Sequence, residues 1–400
     1  MLKSSPKCYR LDTHRVKTPE ETLTIIKGTI SCAGITRVAD ITGLDRVGIP
    51  VFTSIRPAAA SGAVTVYTGK GYTPQEAEVS AIMEGVERYS AEPENEKLLC
   101  GSFYDLRTSI NLLDPNQLIL PGIRNYHHQE PLEWVKGYDV TNAADIWVPA
   151  EAVFHPYSRA NQLFRTNTNG LAVGNIMEEA VVHGLMEVIE RDAWSLFEIA
   201  KVKGKDLNLD QSKLNEYPLA LDLVRRMESS KLSIFAKDIT SDIRIPTVAV
   251  AIDDEATKDP ALLSLGVGTH LIPELATVRA LTEAVQSRLT TIHGTREDTV
   301  KAEFARRIGY ERMKRLNKKW FIPSGEPTEL GNMFRYESDD FLEDINHTIV
   351  ELSRVGLKKV ILVNLTRVGV SIPAVRVIVP GLEVYALDKE RAGTRLRRFP

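Results

Sequence analysis

Ser80-Ala81-Ile82-Met83-Glu84-Gly85-Val86-Glu87-Arg88 sets two glutamates and an arginine on one face of a helix, and two further segments of the chain resemble it. The first copy runs from Gly69-Lys70-Gly71 through Ala77, Ser80 and Glu84 to Glu87-Arg88. The second runs from Gly170-Leu171-Ala172-Val173-Gly174 through Ala180, His183 and Glu187 to Glu190-Arg191. The third runs from Gly266-Val267-Gly268 through Ala276, Arg279 and Glu283 to Gln286 and Ser287-Arg288. Counted from the central glutamate, alanine lies seven before, a polar residue four before, and Glu or Gln three after. These offsets share one helical face, where a small alanine lets another element come close. Arg288, five positions past Glu283, points off that face.

Ile82, Met83 and Val86 surround the first acids, and Val181, Val182, Leu185, Met186, Val188 and Ile189 the second. A helix apolar nearly all round is buried, and its carboxylates must be neutralised. Glu84, Glu87, Glu179, Glu187, Glu190 and Glu283 make six acids, which Arg88, Arg191 and Arg279 offset in part. Cations supply the rest in one reading, and hard oxygen ligands suit Mg²⁺, which keeps positions for phosphate oxygens. That reading leads to nucleotide phosphoryl chemistry. The other reading is a buried structural ion-pair network. Gly69-Lys70-Gly71 has two readings as well, a phosphate-facing turn with Lys70 as point charge or a plain strand-to-helix turn. Thr166-Asn167-Thr168-Asn169 to Gly174 is either a phosphate- or ribose-facing loop or a turn.

The chain has 400 residues, 43% of them hydrophobic, with 50 Lys+Arg against 53 Asp+Glu and a net charge of −3. This excludes a strongly basic nucleic-acid binder as a first reading, and nucleic acid is not an expected partner. No apolar run approaches the ~20 residues of a membrane helix. The N-terminus shows no secretory h-region, so a cytoplasmic protein is expected. Cys8, Cys32 and Cys100 are too few and too scattered for a disulfide framework or a zinc knuckle. Gly-x-x-x-x-Gly-Lys-[Ser/Thr], His-Glu-x-x-His and Gly-x-Ser-x-Gly are all absent. The adjacent His127-His128 read as surface loop. Helices are predicted at 19–33 (capped by Thr18 and stopped by Gly34), 73–91, 177–200, 273–292, 299–316 and 339–354. Strands are predicted at 36–40, 50–55, 63–67, 134–140, 146–149, 234–237, 247–252, 360–364 and 375–379, with 100–165 otherwise rich in loops. Strands and helices alternate without a single βαβ period, as in one composite α/β body of the α+β kind.

Ser80 to Arg88 resembles the first ATP-binding motif of the YcaO family, S-x-x-x-E-x-x-E-R. Glu179 to Glu187 with Glu190-Arg191-Asp192 resembles the second, and Arg279 to Gln286 the third. Asn169-Gly170-Leu171-Ala172 and Gly69-Lys70-Gly71 fit as well, and the likeness runs from about residue 20 to the end. It implies a YcaO-type fold with a non-P-loop ATP site between the helices. The segment 1–60 would pack on an ATP-binding catalytic domain at 61–400. Glu84, Glu87, Glu179, Glu187, Glu190 and Glu283 would hold Mg²⁺, and Lys70, Ser80, Arg191, Arg279 and Gln286 would contact ATP. Glu84, Glu187 and Glu283 would be catalytic.

Within the family, Gly34 to Pro50 and Ser54-Ile55-Arg56-Pro57 resemble the stand-alone branch of methanogenic archaea. That branch implies thioamidation of a glycine in the α subunit of methyl-coenzyme M reductase, with a TfuA partner in many cases, and relatives suggest a homodimer. A sulfide equivalent would add to the peptide carbonyl, and phosphorylation would make the amide oxygen a leaving group. Azoline-forming members end in a Pro-rich tail, whereas this sequence ends Leu396-Arg397-Arg398-Phe399-Pro400. The other readings are an azoline-forming cyclodehydratase, a two-metal hydrolase and a non-catalytic ATP-binding scaffold. None of the three cysteines has a local signature for carrying sulfur, so an external donor is expected.

Overall fold

The computed structural model describes residues 2–93, 98–199, 204–295, 300–325 and 327–398, except the side chains of 300 and 301. A small hairpin, β1 (Tyr9–Arg10) and β2 (His14–Arg15), precedes α1 (Pro19–Ile26). Thr18 accepts from the Glu21 amide while Glu21 accepts from the Thr18 amide, a capping box with Pro19 in the first turn. The helix stops at Ile26, short of the predicted 33. Gly28 and Thr29 follow, the Thr29 hydroxyl donates to the Ile26 carbonyl, and turns lead to Gly34 at φ +72°.

β3 (Arg37–Asp40), β4 (Val51–Ile55) and β5 (Val66–Lys70) form an antiparallel sheet backed by α2 (Pro74–Ala91). The boundary expected near residue 60 falls in the connection between β4 and β5, which pair with each other. β6 (Leu99–Ser102), α3 (Phe103–Leu106), β7 (Pro131–Asp139), β8 (Ala144–Pro149) and β9 (Leu171–Val173) lead to α4 (Met177–Ile199). The end predicted for α4, Ala200, lies outside the described residues. β10 (Lys205–Asp206), α5 (Pro218–Ser229), β11 (Ser233–Asp238), β12 (Thr247–Asp253) and β13 (Ser264–Thr269) lead to α6 (Pro273–His293).

The helix predicted at 299–316 is two helices, α7 (Val300–Ile308) and α8 (Tyr310–Leu316), and Thr299 lies outside the described residues. Gly309 at φ +87° makes the break, a left-handed conformation that ends a helix. α9 (Lys318–Phe321), α10 (Phe341–Arg354), β14 (Ile361–Asn364), β15 (Ala374–Ile378) and α11 (Thr394–Arg398) complete the chain. The second sheet runs β6-β7-β14-β15-β9 with β8 beside β7, and the third runs β10-β11-β12-β13. Every named strand pairing among the described residues is antiparallel, as expected of an α+β fold. No helix among the described residues is long and apolar enough to cross a membrane.

The threefold echo is three strand–helix hairpins, β5–α2, β9–α4 and β13–α6, whose helices fold back on their own strands. Each helix also touches the strand of another unit: α2 meets β9, α4 meets β13 and α6 meets β5, which closes a ring. Close approach explains the small residues. A Cβ on Gly69 would stand 1.9 Å from the Ala81 amide nitrogen, and one on Gly266 2.2 Å from that of Ala284. Three residues before the central glutamates lie Ala81, Gly184 and Ala280, so the small stripe borders the acid stripe and turns it towards the ring centre. Outside the ring, apolar cores fill the layers between α5, α6 and the third sheet, and between α4, α10 and the second.

Candidate functional site

One cavity of about 770 Å³ lies between α2, α4 and α6. Glu84, Glu87, Glu179, Glu187, Glu190 and Glu283 all line it, as do Lys70, Ser80, Arg191, Arg279 and Gln286. Residues more than two hundred positions apart, such as Lys70 and Glu283, thus share one space. The echoed acids meet because they sit at equivalent offsets on their helices, while Lys70 comes from the end of β5.

Each carboxylate already has a partner. Arg88 Nη2 lies 3.2 Å from Glu84 Oε1, and Arg191 Nη1 lies 3.4 Å from Glu190 Oε1. Lys70 Nζ reaches from β5 across to α6 and donates to Glu283 Oε2 at 2.5 Å. Glu187 accepts from the Gly170 amide at 3.2 Å. Glu179 accepts from the Val16 and Asn175 amides at 3.2 and 3.3 Å and pairs with Arg15 Nε at 3.2 Å. Gln286 donates to the Thr68 carbonyl at 2.5 Å, so the third copy replaces an acid by an amide that ties α6 to β5.

The electrostatics follow from enclosure. Burial pushes Glu190 up to about 7, with Glu283 adding to the rise and Arg191 opposing it. Burial also raises Glu87 well above the carboxylate range, and Glu187 and Glu84 reinforce it against Arg88. Glu283 goes the other way: Lys70, Arg191 and Arg279 outweigh its burial and hold it below its ordinary value. Burial lowers Lys70 despite Glu283. The site therefore holds more negative charge than its own cations balance at α2, and a protonated acid is one relief of that imbalance.

Two observations bear on a phosphate-bearing ligand with a divalent cation. The Nε atoms of Arg191 and Arg279 are buried without a hydrogen-bond partner among the described residues, though both residues line the cavity. Buried donors of this kind call for an acceptor from elsewhere. The carboxylates are the hard oxygen donors Mg²⁺ takes. They are not drawn into a ready-made cage: among the described residues no three His, Cys, Asp or Glu side chains converge as a metal cluster. Each acid leans to its own cation or amide, and a metal bridged by phosphate oxygens needs only one or two carboxylates at a time. The residues present fit such a group.

Sequence reasoning missed the contribution of the N-terminal hairpin. Tyr9, Asp12 and Arg15 line the same cavity. Tyr9 donates to Glu76 Oε1 at 2.5 Å, and Asp12 accepts from the Tyr72 amide at 3.1 Å. Nothing local in Tyr9-Arg10-Leu11-Asp12 marks it for a site, since its partners Glu76 on α2 and Tyr72 just before that helix lie sixty or more positions along the chain. Arg288 is off the acid stripe, as its offset predicts, but it is no surface residue. It is 2% exposed and pairs with Asp45 Oδ2 at 2.9 Å and Asp254 Oδ2 at 3.0 Å.

A protein of Methanothermobacter thermautotrophicus with no described function is 49% identical over 384 residues, 95% of this chain and 97% of that one. A Rhizobium leguminosarum protein encoded in the tfuA 3′ region is 30% identical over 382 residues, 92% of this chain and 89% of that one. The solved structure of YcaO from Methanopyrus kandleri bound with AMPPCP and Mg²⁺ matches with a TM-score of 0.79 at 30% identity, covering 97% of this chain and 98% of that chain. The family model described as YcaO cyclodehydratase, ATP- and Mg²⁺-binding, matches residues 68–383. That span runs from within β5 through α2 and the other two strand–helix units and takes in the whole acid stripe, and the chain belongs to the YcaO family of ATP-dependent peptide-modifying enzymes.

Proposed function

We propose that this protein activates a peptide backbone amide at the expense of ATP and, with a sulfide equivalent, converts it to a thioamide. The observation that carries the ATP reading is the ring centre, where six carboxylates from three helices meet two arginines with unpartnered Nε donors. Glu84, Glu87, Glu179, Glu187, Glu190 and Glu283 would hold Mg²⁺, with Glu84, Glu187 and Glu283 nearest the chemistry, and Lys70, Ser80, Arg191, Arg279 and Gln286 would contact ATP. Bound ATP–Mg²⁺ supplies an electrophilic phosphoryl group that turns the amide oxygen, a poor leaving group, into phosphate. The chain's own part is to position the nucleotide and to neutralise charge as it develops, and fixed guanidinium donors serve both ends.

The thioamide branch rests on the methanogen-like segments Gly34–Pro50 and Ser54–Pro57, supported by the methanogen relative and by the relative from the tfuA region. The expected substrate is a glycine in the α subunit of methyl-coenzyme M reductase, with a TfuA-type partner and an external sulfide donor, the enzyme working as a cytoplasmic homodimer.

The test has two arms. In calorimetry, Glu84→Ala and Glu187→Ala abolish ATP–Mg²⁺ binding while circular dichroism stays native; unchanged affinity in both would refute the site. In high-resolution fragmentation, the substrate peptide gains sulfur in place of oxygen on a glycine carbonyl. Loss of water at Cys, Ser or Thr would make the product an azoline and leave the ATP site standing. Peptide-independent hydrolysis would favour a hydrolase, and no turnover at all a scaffold.

A further inference from the structure

Beside the cavity stands a helical arm, α7 to α9, that the ATP chemistry does not use. Its inner side belongs to the site: Ala302, Ala305 and Met313 line the cavity with Pro260 and Ala261. The arm as a whole differs in composition from the rest of the chain. Residues 302–322 carry seven lysines and arginines against two glutamates, in a chain whose net charge is −3. Some of these cations hold the arm in place. Lys314 pairs with the buried Asp253 at 2.5 Å, Arg306 with Asp259 at 2.9 Å, and Lys319 donates to the Glu198 carbonyl at 2.7 Å. Arg312, Arg315 and Lys318 are exposed and have no ion pair or hydrogen bond from their side chains among the described residues. The same arm exposes large apolar side chains, Phe304 at 65%, Leu316 at 64% and Ile322 at 55%. Arg312, Arg315 and Leu316 lie three and four apart and so share one face of α8.

An exposed leucine on the same face of α8 as two unpaired arginines, with further exposed apolar side chains along the arm, marks a surface that binds something both acidic and apolar. A second copy of this chain is a poor occupant, because a twofold contact centred here sets arm against arm and cation against cation. Nucleic acid is a poor one too, since three free cations on short helices do not make the extended basic stripe it needs. We propose that the outer face of α7–α9 docks an acidic, apolar-containing segment of the protein substrate and so brings its amide to the cavity. A peptide held there lies one helix thickness, roughly 10 Å, from the cavity wall. This inference rests on the peptide-modifying reading for its purpose but not for its measurement.

The full chain is titrated with a short fluorescein-labelled glutamate–leucine peptide, its lysine–leucine counterpart and a single-stranded RNA, each followed by anisotropy at low and high salt. The acidic peptide is expected to bind at least ~tenfold more tightly than the basic one and to weaken with salt. Charge reversal by R312E/R315E/K318E is expected to weaken it by at least ~tenfold. That variant should keep wild-type ATP–Mg²⁺ affinity, because none of the three residues lines the cavity. Equal binding of the two peptides, indifference to the triple variant, tighter binding of RNA, or a wild-type dimer that the variant splits would each overturn the docking face. Wild-type protein that binds the acidic peptide but no ATP–Mg²⁺ would overturn the ATP reading and leave the docking face intact.

Discussion

α4 and α6 carry the same spaced pattern, yet their arginines serve opposite ends. On α4, Arg191 lies four positions past Glu187 and lines the cavity. Burial works against its charge, but Glu190, Glu187 and Glu283 hold the guanidinium above its usual value. On α6 the arginine lies five positions past Glu283. One residue is about 100° of helix rotation, and it carries Arg288 out of the cavity into a buried cluster with Asp45 and Asp254. The two helices differ in acidity as well. α4 brings Glu179, Glu187 and Glu190 to the cavity, whereas α6 brings Glu283 and replaces the next acid with Gln286. The ring is thus asymmetric in charge though repetitive in backbone, with one helix placing three acids at the cavity and another placing one there while its Arg288 anchors the chain outside it.

The widest separation between the two arginines is in stability. Arg288→Ala leaves the buried Asp45 without its bidentate guanidinium partner and takes one of two cations from Asp254, with Arg46 still 2.9 Å from it. It should cost about 3–5 kcal/mol in urea unfolding. Arg191→Ala should cost no more than about 1 kcal/mol, since cavity water can reach Glu190 and that carboxyl can take up a proton. Equal losses would show that the ring centre is an ion-pair core rather than a ligand site.

A smaller effect probes the shared backbone. Gly266→Ala puts a Cβ 2.2 Å from the Ala284 amide nitrogen and 2.3 Å from the Ala280 carbonyl oxygen. Neither atom is the flexible end of a side chain, so β13 and α6 must separate, at about 1–3 kcal/mol by thermal or urea unfolding. Gly69→Ala should behave alike, since β5 and α2 are in the same contact. A neutral outcome at Gly266 would mean that the small-residue stripe reflects composition, not close packing.

These contrasts also mark what the sequence discloses. The long helices are legible because apolar residues recur at helical spacing and because Thr18 and Thr73 open capping boxes. The convergence of the acid stripe is legible because equal offsets in repeated units put side chains in equivalent places. β9 and β13 were not predicted, and their sequences, Leu171-Ala172-Val173 and Ser264-Leu265-Gly266-Val267-Gly268-Thr269, explain it. The first is too short to show alternation, and the second carries glycines where strands usually carry β-branched residues. α5 was missed too, though it opens with Pro218. Arg288 as an anchor and Asp12 as a cavity residue depend on partners far along the chain, which no local pattern encodes.

The smallest effect concerns the position four before the central glutamate, where α4 has His183 and α6 has Arg279. Burial lowers His183 well below the ordinary histidine range, and Arg279 from α6, Arg15 from the N-terminal hairpin and Lys70 from β5 press it further down. A histidine that stays neutral in the folded chain but takes a proton in the unfolded chain contributes stability above about pH 6.5, and that contribution is lost as pH falls below it. His183→Gln removes the linkage. Wild type and variant should change alike between pH 8 and pH 7, and wild type should then lose about 1 kcal/mol more than the variant by about pH 5.5 in urea unfolding. The same substitution at His127, which is exposed in a loop, controls for a general histidine effect. In an Arg279→Gln background the gap should persist, because burial is the largest cause that keeps His183 neutral and Arg15 and Lys70 still face it. A gap that closes there would mean that Arg279 rather than burial holds His183 neutral, and that α4 and α6 are coupled chiefly through the charge at this pair of equivalent positions.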